Sequence, residues 1–183
     1  MFIPDSIDTL ITELPDLSNV SSAQSRNLGI PNWLKQVEDD ISAALAKGTD
    51  IRSLVEARAD AIDSLLIKLF ELHELSQTEL ALFAVGGYGR GELSPYSDVD
   101  ILLLSPDNLN EEANKKVDAF VARLWDIGIE PGLAVRSIQD CLQVATDITV
   151  ATNLLEARLL VGNESLSQVP NDIVQQLWSQ KDF

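Results

Sequence analysis

One cysteine, one histidine and one methionine occur in 183 residues. A lone Cys141 makes neither an intrachain disulfide nor a multi-cysteine zinc site. With His73 the only histidine, there is also no Cys–His pair close in sequence and no His-rich metal cluster. Basic residues are scarce, 13 against 29 acids, for a formal charge of −16. The deficit is even: residues 1–80 hold 14 acids and 6 bases, residues 81–183 hold 15 and 7, so each part carries −8. Such a field repels phosphate backbones, which argues against nucleic acid and anionic membranes as general partners. A phosphate ligand here needs a local device that works against the global charge. No apolar run approaches the roughly 20 residues of a membrane helix. The opening MFIPDSIDTL lacks the basic and apolar regions of a signal peptide. What remains is 45% hydrophobic, enough for a real core. The expectation is a soluble, cytoplasmic, globular protein.

Residues 1–31, with Pro4, Pro15, Pro31 and a Ser-rich stretch from Ser18 to Ser25, read as a short helix or extended arm followed by a loop. Asn32 is a candidate N-cap for a helix from Trp33 to about Ala46, whose apolar face is Trp33, Leu34, Val37, Ile41 and Leu45. Gly48 stops it. A longer helix is predicted from about Asp50 to Leu75, with Ile51, Leu54, Val55, Ile62, Leu65, Leu66 and Leu69 in its stripe. The two form a helical hairpin. The pattern then changes. Leu80–Val85 and Val99–Leu104 are short apolar runs bounded by turn residues and read as buried strands. Asn110 to about Ile127 is helical, and Gly132–Ile138 is a third strand candidate. Asp147 caps a predicted helix through Leu160, and Asn171–Lys181 is a last one. The fold class is α+β: an N-terminal helical hairpin, then a small mixed sheet flanked by helices.

Between the first two strands lies GGYGRGELSPYSD, with four glycines in six residues. A plain turn does not require that entropic cost. Paired glycines after a strand let the backbone approach a ligand and aim N–H groups at an anion. The segment is not a Walker A loop, since no Gly-Lys-Ser/Thr follows. Nor is it the dinucleotide fingerprint, because the third glycine position falls on Glu92. Asp98 and Asp100 follow at i, i+2 spacing, which puts both carboxylates on one face of a strand and turns Val99 into the core. Two carboxylates held together call for a hard divalent cation, and Mg²⁺ suits a site that adds substrate phosphates and waters. A phosphate-holding turn beside such a pair is a layout for in-line displacement on a nucleoside triphosphate.

Gly86-Gly87, ten intervening residues, then Asp98-Val99-Asp100 resembles the defining motif of the polymerase-β-type nucleotidyltransferase superfamily. The longer string VGGYGRGELSPYSDVDILLL looks like the nucleotidyltransferase domain of the bacterial PII uridylyltransferase/uridylyl-removing enzymes. LWDIGIEPGLAVRSIQDCL and ATNLLEARLLVGNESL look like that domain's continuation. The likeness covers roughly residues 35–166. It divides the chain into an N-terminal helical region (1–75), a nucleotidyltransferase core (76–166) and a C-terminal helix (167–183) at the edge of a truncated or following domain.

The resemblance implies transfer of UMP from UTP, with Mg²⁺ and by the superfamily's habit two ions, onto a tyrosine of a PII-type protein. Gly86 and Gly87 would position the triphosphate, and Asp98 and Asp100 would bind metal. The superfamily usually adds a third carboxylate on a later strand. Here that strand shows Val135 and Arg136 and no acid, so Glu130, just upstream, is the substitute. Family enzymes also carry a phosphohydrolase domain and ACT domains that this sequence does not contain, so UMP removal and glutamine sensing are not carried over. The chain reads as a fragment or a stand-alone relative.

Arg90 and Arg136 are candidates to steady phosphates, with surface ion pairs as the alternative. Ser97 either bonds phosphate or caps its turn. Tyr88 is either a stacking platform for the base or packing beneath the loop. Two rival functions remain open: a nucleotide-binding regulatory module that lost catalysis with its third acid, and transfer of another nucleotide to a different acceptor.

Overall fold

A computed structural model describes Leu14, residues 29–95 and residues 97–179. Apart from Leu14 and the residues from Gly29 on, the expected N-terminal arm lies outside the described residues. Helix α1, Gly29–Ala46, buries Ile30, Trp33, Val37, Ile41 and Ala44 at helical spacing. It begins ahead of the expected Asn32 cap, because Pro31 is tolerated in a first turn, where a missing N–H costs nothing. Gly48, at φ +86°, ends the hairpin's first arm. Helix α2, Ile51–Leu72, is capped by Asp50, whose carboxylate accepts the Ser53 N–H at 3.2 Å. Ile51 and Leu45, expected on buried stripes, are exposed at the hairpin's mouth.

Four strands follow in the order β3-β2-β1-β4: β1 Ala81–Ala84, β2 Val99–Ser105, β3 Pro131–Ser137 and β4 Arg158–Gly162. β1 is antiparallel to β2 and β4, while β2 and β3 are parallel, so the sheet is mixed as expected. Side chains alternate between its two faces. Leu82, Ala84, Ile101 and Leu103 pack with α1, α2 and α4 (Glu111–Asp126). Ala81, Phe83, Leu102 and Leu104 pack with α5 (Ile138–Val144), α6 (Ile148–Leu155) and α7 (Val169–Ser179). Burial on both faces is why these strands read as unbroken apolar runs. The remaining helix, α3, is the single turn Gly86–Gly89.

Two expectations need correcting. The helix expected to run from Asp147 to Leu160 stops at Leu155, and Arg158–Gly162 is strand β4 instead. β1 has a second edge whose N–H and C=O groups need partners, and this segment supplies them. The strand expected to reach Ile138 ends at Ser137. Ser137 and Asp140 form a reciprocal capping box that starts α5. Among the described residues no helix is long and apolar enough to cross a membrane.

Leu103 is fully buried in the middle of the sheet, whereas Ile148 is 82% exposed. Leu103→Ala is expected to cost about 3 kcal/mol of unfolding free energy in a urea titration. Ile148→Ser stays within about 0.5 kcal/mol of the parent.

Candidate active site

The site starts where β1 ends. The Val85 N–H donates to the Asp100 carbonyl at 3.0 Å, which ties the end of β1 to β2. The chain then turns through Gly86 at φ +59°, a conformation that favours glycine, into the helical turn α3. The N–H groups of Gly86, Gly87 and Tyr88 open this turn and have no carbonyl one turn back inside it. Such successive amides form an anion-binding concavity.

Gly86 is favoured by its φ of +59°, whereas Gly89 and Gly132 are held to glycine by close approach. A Cβ on Gly86 would lie 3.5 Å from both the Asp100 carboxylate and the Asn153 side-chain oxygen. On Gly89 it would fall 2.0 Å from the Glu156 carbonyl oxygen. On Gly132, which faces Asp100 across the β2–β3 register, it would fall 2.0 Å from Asp100 Oδ1. The Asp100 carboxylate thus occupies a seat between two segments of bare backbone.

Asp100 lies in β2 and Asp98 just precedes it, with Val99 between them buried in the core. Burial first, and the neighbouring Asp98 charge second, push the Asp100 carboxyl above the usual carboxylate range. Among the described residues neither carboxylate receives a protein hydrogen bond or salt bridge. Val99 pairs with Pro131, and Asp98 and Glu130 each immediately precede these first paired residues of β2 and β3. Both line a groove of about 390 Å³ with Lys35, Arg58, Ile62 and Ser97.

The other expected residues divide. Arg90 lies at the rim of the turn and is paired with Glu92 and Glu156. The Ser97 hydroxyl donates to the Ser94 carbonyl at 2.6 Å and so caps its own turn. Tyr88 is 1% exposed, with its hydroxyl on Asp63 at 2.6 Å. Its ring therefore lies beneath the turn and offers no open face to a base. Arg136 is four residues along β3 from Gly132, roughly 13 Å at strand rise. There it sits near Asp140, which helps hold that carboxyl below its ordinary range after the Ser137 hydrogen bonds. The structure does not bring Arg136 to the aspartates. Burial pushes the Cys141 thiol up to about 11, so it carries no thiolate at neutral pH.

Sequence reasoning missed Gly132, Asn153, Glu156, Asp63 and Arg158. Gly132 was detectable, since a glycine inside a strand marks close backbone approach. The others had no local signal: Asp63 and Arg158 meet across 95 residues of sequence.

A family model described as nucleotidyltransferase domain matches residues 68–175. The bifunctional uridylyltransferase/uridylyl-removing enzyme of Psychrobacter sp. (strain PRwf-1) is 76% identical over all of this chain, which covers 20% of that protein. The enzyme of the same description from Psychrobacter cryohalolentis is 55% identical over 97% of the chain and 19% of its own length. That from Acinetobacter baumannii (strain AYE) is 46% identical over 95% and 20%. The chain spans about a fifth of the length of the curated relatives it matches.

The strained pair yields a test. A carboxyl whose folded pKa is raised destabilises the fold once it ionises, and that penalty fades as pH falls towards the ordinary carboxylate range. In metal-free buffer, Asp100→Asn should therefore melt higher than the parent at neutral pH. The difference should shrink on acidification towards the ordinary carboxylate range, as the parent carboxyl takes up its proton. A variant that melts lower at neutral pH would contradict the burial and repulsion described here.

Proposed function

The chain belongs to the nucleotidyltransferase-domain family, and on that footing we propose that it is a cytoplasmic enzyme moving UMP from UTP, with Mg²⁺, to a tyrosine hydroxyl of a PII-type signalling protein. The observation that carries this reading is Asp100 lying against the glycine turn with Asp98 as its neighbouring charge, neither carboxylate hydrogen-bonded among the described residues. The uridylyl and PII parts rest on the relatives' printed description and on the resemblance of the motif. A protein acceptor also suits the −16 charge better than a nucleic acid does.

The residues fit a divalent cation. Asp98 and Asp100 present oxygen ligands at the start of β2, and one of them occupies a seat that a single Cβ would fill. Among the described residues no group of three or more acids, histidines or cysteines could hold a metal. The protein therefore offers two carboxylates and leaves the remaining positions to substrate oxygens and waters, as Mg²⁺ prefers. When bound there, Mg²⁺ offsets the charge of the triphosphate and of the two carboxylates.

The chain's own residues do the rest by positioning. The Gly86 and Gly87 amides hold the phosphates, with Arg90 at the rim. The groove lined by Ser97, Asp98 and Glu130 admits the acceptor hydroxyl. Its oxygen bonds to the α-phosphorus as the bridge to the β-phosphate breaks and pyrophosphate leaves. Glu130 accepts the hydroxyl proton. A side chain at Gly132 would displace the Asp100 carboxylate, which accounts for the absence of an acid opposite it.

That same bare position favours one second reading, a domain that binds nucleotide without transferring it. Labelled UMP transfer from UTP to purified PII protein separates the two. Glu130→Gln is expected to lower transfer by about 10²–10⁴-fold while leaving UTP affinity near the parent's. Asp98→Asn with Asp100→Asn loses the Mg²⁺-dependent rise in Tm that UTP produces. Parent protein that binds UTP but modifies no PII would support the second reading. UTP binding that survives both Asn substitutions would defeat either one.

Gly132→Ala supplies an independent check on the seat. It must push the Asp100 carboxylate aside, so Mg²⁺-dependent UTP binding falls at least about tenfold while the parent's circular dichroism is retained.

A further inference from the structure

The turn Gly86–Gly89 is a single helical turn, too short to sustain itself, because the first turn of a helix fixes many dihedral angles for one hydrogen bond. Something outside it must set its orientation. Its entry is tied by the Val85 N–H to Asp100, and its middle is wedged where Gly89 meets the Glu156 carbonyl. Its two last carbonyls are held by a side chain from the far edge of the sheet. Arg158, the first residue of β4, donates from Nε to the Gly89 carbonyl at 3.2 Å and from a terminal nitrogen to the Tyr88 carbonyl at 3.3 Å. A cation at that end also complements the turn's dipole.

The other edge of Arg158 is bidentate on Asp63, at 2.6 and 3.2 Å. Asp63 stands in the middle of α2 with its side chain 14% exposed. It also accepts the Tyr88 hydroxyl at 2.6 Å. Burial, and then the Asp63 charge, push the Tyr88 phenol far above its ordinary range, so it remains a donor throughout. The Arg158 guanidinium lies 5.7 Å from the Tyr88 ring centre. The contacts close a ring: Tyr88 side chain to Asp63, Asp63 to Arg158, and Arg158 back to the Tyr88 and Gly89 carbonyls. A largely buried ion pair is poor evidence of stabilisation, since apolar residues of similar volume often do as well. What apolar residues would not provide is a fixed direction for two carbonyls and one phenol.

We propose that Asp63 and Arg158 are positioning residues for nucleotide binding, which act through Tyr88 to hold the roll of the glycine turn so that its opening amides meet the triphosphate beside Asp100. This rests on the reading of the turn as the triphosphate holder. Neither residue touches the nucleotide. Asp63 belongs to the N-terminal hairpin, so the hairpin is part of the nucleotide site.

The experiment measures Kd for UTP and for UMP with Mg²⁺ by calorimetry, together with Tm, in the parent and in Tyr88→Phe, Asp63→Asn and Arg158→Lys. Arg52→Gln, which breaks the exposed Arg52–Glu56 pair on the same helix, is the control. UTP affinity should fall about tenfold or more in the three variants while UMP affinity changes little, so the preference for triphosphate shrinks. The control keeps the parent's ratio. A merely structural ring would lower Tm and leave that ratio unchanged, and this outcome overturns the proposal. Tyr88→Phe keeps the ring and removes one hydroxyl, so it decides the matter if the charge variants do not fold. Parent protein that binds no UTP would defeat the triphosphate reading and this proposal together. UTP binding with an unchanged ratio in Tyr88→Phe would defeat this proposal alone.

Discussion

A carboxylate that is partly buried, beside another carboxylate and without a donor, is the condition on which the rest of this site depends. Gly132 lies on one side of Asp100, where a Cβ would fall 2.0 Å from its Oδ1, and Gly86 lies on the other at ordinary contact distance. That seat accounts for the glycine inside β3, where a Cβ would fall on the Asp100 carboxylate. It is also a site that an added positive charge would relax, because desolvation and like-charge repulsion both act against the ionised form.

The turn that faces this seat is organised from a distance. The Leu93 N–H reaches the Val55 carbonyl, and Arg58 joins Glu38 of α1 to the Ser94 carbonyl. Asp63 completes a line of anchors along α2. The hairpin and the sheet also share one apolar core, with Leu65, Leu66 and Leu69 packed among Leu82, Ile101 and Leu103. The glycine–aspartate segment is consequently a loop in conformation only. It is fastened to α2 on one side and to β4 and α6 on the other, which suits a reaction that depends on placement.

The negative surface charge, which argues against phosphate partners in general, narrows to an argument about acceptors. A single triphosphate can be held inside a negative field if amides and a cation sit at the point of contact, because their influence is short-ranged and the wider field is screened within roughly 8–10 Å. A long phosphate backbone has no such local remedy.

The residues with local signatures were readable in order. Gly86, Gly87, Asp98 and Asp100 carry a pattern of type and spacing, and period two alone assigns the two aspartates to one face with Val99 inward. The strands β1 and β2, the cap Asp147, and the hairpin of α1 and α2 follow from the same short-range rules. Other features are pairings, and no window of sequence contains them. Arg158–Gly162 is a strand by virtue of its pairing with the edge of β1. Gly132 is an ordinary strand glycine until Asp100 is opposite it. Tyr88 looks available to a ligand until Asp63, 25 residues earlier, takes its hydroxyl. The sequence by itself determined which chemistry is present, because that rests on residue type and local periodicity. Only the tertiary structure decided which of those residues lie beside Asp100 and which are buried or paired elsewhere, because burial and hydrogen-bond partners are set by contacts between distant segments.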